Sequence, residues 1–176
     1  VAATIDATIK GANANSYVTL AEADAYFETV PSSTNWDNKS NDNKNRALIS
    51  ATRWIDTLVY YGDRCDDDQA LKFPRTNYQV DGVELACTLI PQNIKYAQFE
   101  LANALANDTD AITGSVGTDG NFSEIKVGDT HVKYNTKSQG VGSVNNVFDV
   151  YPWLQSYLGA YVLGGAGSFQ LRVVRG

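Results

Sequence analysis

His131 is the single histidine of the chain, and a catalytic base needs a nucleophile and an orienting group converging on it. No serine or cysteine nucleophile motif surrounds it, and it falls on the polar face of a short strand, where a solvated residue is expected. Asp63, Asp66, Asp67 and Asp68 form an acidic cluster able to attract a divalent cation. The central glycine and distant glutamate of a calcium loop are missing, so the expectation is a solvated loop. Gly114, Gly117 and Gly120 are followed neither by Lys-Ser/Thr nor by a helix pattern, which reads as linker and not as a phosphate cradle. Cys65 and Cys87 lack CxxC spacing and a neighbouring histidine. A disulfide between them is geometrically conceivable, but assembly in a reducing cytoplasm favours two free thiols. No catalytic residue, metal site or cofactor is expected, and the chain does not read as an enzyme.

Rings beside cations offer a second chemistry, the stacking of single-stranded bases. Tyr60, Tyr61, Phe73 and Tyr78 lie near Lys72 and Arg75, so Lys72, Phe73, Arg75 and Tyr78 are the candidate nucleic-acid contacts. The aspartate cluster and Asp81 oppose them. Over all 176 residues the formal charge is −6 and the pI about 4.6, so phosphate neutralisation supplies no general attraction to nucleic acid.

The elements that must position these residues form three blocks. In the first, to about residue 108, Thr19-Leu20-Ala21-Glu22 is a capping box, and Leu20, Ala23, Phe27 and Val30 follow on one helical face until Pro31. A polar stretch from Ser32 to Asn45 is mostly loop plus the first turn of a second helix. That helix carries Leu48, Ala51, Ile55, Leu58 and Val59 on one stripe, with Gly62 at its end. Pro91 opens a third, with Ile94, Ala97, Leu101, Ala104 and Leu105 inward.

The period then changes. Runs from Phe122 to Val127 and Thr130 to Tyr134 flank Gly128-Asp129, a hairpin signal that sets Ile125 opposite Val132 and Glu124 opposite Lys133. The third block is a short helix, with Asp149 and Pro152 at its start, Leu154, Tyr157 and Leu158 inward and Gly159 at its end. Beyond it, Tyr161-Val162-Leu163, a glycine joint from Gly164 to Gly167 and the alternating run Phe169 to Arg175 suggest an adhesive strand. The expected fold is mainly α: a helical body over residues 1–158, including the hairpin at 122–134, and an extended C-terminal arm over 159–176.

A hydrophobic fraction of 43% and a charged fraction of 19% suit one soluble globular domain. No apolar run is long enough to span a bilayer. The N-terminus lacks the basic and apolar stretches of a secretory signal, and Val1 suits a trimmed start methionine.

Asn15 to Phe27 (NSYVTLAEADAYF) resembles the opening signature of a phage family labelled DnaT-like single-stranded-DNA-binding proteins. The likeness continues through Arg46 to Thr52, Gln69 to Thr76 (QALKFPRT), Ile90 to Ala97 and Glu100 to Ala102, about the first two thirds of the chain. That family lies among structural genes of tailed phages and is similar to head-to-tail connectors. The resemblance implies a virion neck protein, assembled in the host cytoplasm, that forms a twelve-fold ring beneath the portal. It implies the portal and tail or nozzle proteins as partners, genomic DNA passing through the lumen unbound, and no membrane. On this reading Tyr157, Tyr161, Leu163, Phe169, Leu171, Arg172, Val173 and Arg175 meet the portal or a neighbouring subunit. The alternative is a DnaT-like replication accessory that binds single strands.

Overall fold

The Thr19 hydroxyl accepts from the Glu22 amide while the Glu22 carboxylate accepts from the Thr19 amide, so the expected capping box opens helix α1, Leu20–Phe27. A computed structural model describes residues 2–31, 34–107, 124–127, 130–133 and 147–163, the strands at 124–127 and 130–133 by their backbone alone. Ala23 and Phe27 of α1 are buried. Within the stretch expected to be loop, a four-residue helix α2, Thr34–Asp37, carries Trp36 fully into the core, stacked on Phe27 at 4.6 Å. Ser40 caps helix α3, Asn41–Ile55, which buries Leu48, Ala51 and Ile55.

Helix α3 ends sooner than the apolar stripe suggests. Asp56 is its C-cap, Leu58 is buried beyond it, and Val59 is 60% exposed. Gly62 therefore does not end the helix. With φ +72° it lets the chain pass so close to Thr76 that a Cβ would lie 2.3 Å from the Thr76 carbonyl oxygen. There β1, Asp63–Arg64, pairs antiparallel with β2, Arg75–Thr76. Next, β3, Gln79–Val80, pairs with β4, Val83–Glu84, around Asp81 and Gly82, both at positive φ. This two-residue Asp-Gly turn is a hairpin signal that the sequence reading passed over.

The cysteine expectation is corrected: Cys65 and Cys87 form a disulfide, their Cα atoms 5.5 Å apart. The β1–β2 and β3–β4 turns fold the intervening chain back on itself and bring the two thiols together, a proximity that spacing alone does not reveal.

Helix α4, Gln92–Asn107, packs along α3 as the central pair of the body. Its inward face is Ile94, Ala97, Leu101 and Leu105 as expected, joined by Gln98 and Phe99. Strands β5, Glu124–Val127, and β6, Thr130–Lys133, pair in the expected register, Glu124 with Lys133 and Ile125 with Val132. The last block is α5, Val147–Val150, a 3-10 turn at Pro152–Leu154, and α6, Gln155–Leu158. Leu154 and Leu158 are buried, whereas Tyr157 is only half-buried. The architecture is mainly α with small two-stranded sheets. No helix of the described residues is long and apolar enough to cross a membrane.

Candidate functional site

Lys72, Phe73, Arg75 and Tyr78 do come together, around the segment Leu58–Gly62. Arg75 donates from Nε to the Tyr61 carbonyl at 2.7 Å, from Nη1 to Lys72 at 3.2 Å, and from Nη2 to Tyr60 at 3.3 Å and to Gly62. Its guanidinium thus clasps two stretches of main chain, and burial lowers its pKa from the ordinary arginine value. The Lys72 ammonium donates to the Leu58 carbonyl. Phe73 is 2% exposed, edge-on to Tyr60 at 4.8 Å and to Tyr17 and Tyr161 at 6.0 Å each. Tyr78 stacks on Tyr61 at 4.8 Å and donates its hydroxyl to the Ala160 carbonyl. Each group singled out for DNA therefore holds the protein's own chain. The open groove beside them, about 480 Å³, mixes Arg64, Lys72 and Arg75 with Asp63 and Asp67.

Tyr161 to Leu163, the start of the expected arm, are bonded to the body. Tyr161 and Val162 are core residues, and Val162 bridges Tyr60. Backbone bonds run from the Tyr61 amide to Tyr161 and from the Leu163 amide to Val59. Tyr161 is therefore not free to meet a partner, while Leu163 is 56% exposed and Tyr157 half-buried. Phe169, Leu171, Arg172, Val173 and Arg175 lie outside the described residues.

Two polar residues that the sequence reading missed tie the signature blocks together. Gln98, fully buried on α4, accepts from the Tyr17 amide at 3.1 Å and donates to Ser16 Oγ at 2.7 Å and to the Leu48 carbonyl at 3.1 Å. A glutamine at helical spacing between Ile94 and Leu101 was the available signal. Asp56 accepts from the Tyr17 hydroxyl on one oxygen and from the Lys72 amide on the other. Burial outweighs these bonds and raises the Asp56 pKa above the usual carboxylate value. Burial, then the Asp56 charge, raises the Tyr17 hydroxyl well above its own.

A third missed feature is a chain of rings running outward from the core: Phe27, Tyr26, Tyr96, Tyr157 and Trp153. Successive centroids lie 5.1, 5.5, 6.4 and 6.5 Å apart. Phe27 is buried, Tyr26, Tyr96 and Tyr157 are half-buried, and Trp153 is 39% exposed. Glu100 sits among them, accepting from the Tyr26 hydroxyl, and Lys95 is paired with Glu22 at 2.7 Å.

Among the described residues no group of three histidine, cysteine or acidic side chains is placed to hold a metal. His131 lies in β6 opposite Lys126. No curated protein and no solved structure matches the chain. One family model, described as "Putative DnaT-like ssDNA binding protein", matches residues 2–176, well beyond the signature blocks. By that match over nearly its whole length, the chain belongs to this DnaT-like family.

Proposed function

We propose that the chain is a non-enzymatic structural subunit of a tailed phage, a head-to-tail connector that forms a ring beneath the portal and joins it to the tail. One observation favours it over a nucleic-acid role: the ammonium, ring and guanidinium of the Lys72-Phe73-Pro74-Arg75 signature bind the protein's own backbone and core. That segment acts as scaffold. The net charge of −6 agrees, since an acidic ring repels DNA moving through it and favours passage over sticking.

The second reading, a single-strand-binding replication accessory, is the one that the family's description names; that description says nothing of a connector. The two part at Arg75. On the scaffold reading, Arg75→Lys loses the fork geometry across four carbonyls and lowers stability by about 1–3 kcal/mol, seen as a lower Tm. A labelled oligonucleotide titrated into the native chain at low salt is then expected to show no saturable binding. Tight, salt-dependent binding that Arg75→Lys weakens without changing Tm would hand the case to the replication accessory.

A further inference from the structure

The ring chain ending at Trp153 has no role in the scaffold just described. Its inner members belong to the core, but its outer rings reach the surface together, along α4, the α6 helix that packs on it and the 3-10 turn beside α6. The chemistry around them is apolar and acidic. Lys95, the nearest cation in sequence, is held by Glu22, and no cation among the described residues pairs with Glu100. Phosphates would be repelled there, whereas an apolar segment carrying arginines would be drawn in.

The chain contains such a segment. Residues 164–176 read GGAGSFQLRVVRG, with two arginines and no acidic side chain. Phe169, Leu171 and Val173 alternate with Gln170, Arg172 and Val174. In an extended strand, residues two apart stand about 6.6 Å from each other on one side. The steps from Tyr96 to Tyr157 and from Tyr157 to Trp153 are 6.4 and 6.5 Å, so one apolar side chain can meet each ring. Leu163, the last described residue, is bonded to Val59, and residues 164–176 follow it, with glycine at 164, 165 and 167.

We propose that the Tyr96–Tyr157–Trp153 strip, with Glu100 beside it, is the docking face for the Phe169–Arg175 segment of a second copy of this chain. Resting on the connector reading, this assigns the contact between neighbouring subunits of the ring. Arg175, on the same side of such a strand as Phe169, Leu171 and Val173, answers Glu100, and the rings supply the aromatic anchors common at such interfaces.

Charge reversal across copies tests it on the full chain, read by sedimentation velocity against concentration and by Tm. Glu100→Arg alone and Arg175→Glu alone are each expected to weaken self-association about tenfold. An equimolar mixture of the two variants restores it, because each tail then meets a strip of opposite sign. Arg175→Glu alters none of the described contacts, so its effect reads docking even where Glu100→Arg disturbs the Tyr26 contact. Self-association unchanged by Arg175→Glu, or a mixture no better than either variant alone, overturns the proposal. A Trp153 fluorescence change that stays monomeric would mean the tail docks on its own chain, which also overturns it. Quenching of Trp153 by an oligonucleotide would make the strip a base platform instead. If the variants still assemble on portals as the native chain does, this contact is refuted while the connector reading stands. If the native chain itself ignores portals, it is the connector reading that falls.

Discussion

Asp56 shows how one side chain can join two distant stretches of signature sequence. Its carboxylate takes the Tyr17 hydroxyl and the Lys72 amide, and burial raises its pKa above the unfolded value. As pH climbs from the unfolded carboxylate range through that raised value, the native state must ionise a buried group. Stability from this site is therefore present at the acid end and lost toward neutrality. Asp56→Asn removes the buried charge while keeping both contacts: its carbonyl can face the Lys72 amide, and its amide can donate to the Tyr17 oxygen. The expected result at pH 7 is a stability within about 1 kcal/mol of the native chain, with the difference moving in the variant's favour as pH rises through that window. Asp56→Ala leaves two buried donors unpaired and costs about 2–4 kcal/mol in denaturant melts. A larger loss for asparagine than for alanine would show that the charge itself holds the site together.

At the scale of elements, the short pairing of Tyr60 with Val162 decides where the body ends. Deleting residues 164–176 is expected to leave Tm within about 2 °C, because every described core residue remains. Deleting from Ala160 also removes Tyr161 and Val162 from the core and costs more than about 4 kcal/mol. Equal melting of the two truncations would show that this docking contributes nothing. The helices were legible because a capping box, apolar faces at period 3.6 and Pro91 are local signals. The β5–β6 register was legible for the same reason, since two residues of turn fix it. Trp36, the disulfide and the burial of Tyr161 were not, because each depends on where distant segments come to lie. Val59 misled because it continues the apolar stripe of α3 after the helix has stopped at Asp56. The candidate DNA contacts were grouped correctly in space yet misread in role. Composition shows that a lysine, a phenylalanine and an arginine are near one another, but not which way their donors and ring face.

At the scale of the whole molecule, a helical body built on α3 and α4 carries an acidic balance, a signature segment turned inward and an aromatic strip turned outward. That distribution suits protein partners more than phosphates. The family's description leaves single-stranded DNA as the competing ligand. Negative-stain microscopy of the native chain mixed with a tailed-phage portal protein tests the connector reading most directly. The account predicts an added ring of density beneath the portal. Bare portals at saturating concentrations of the chain would contradict it.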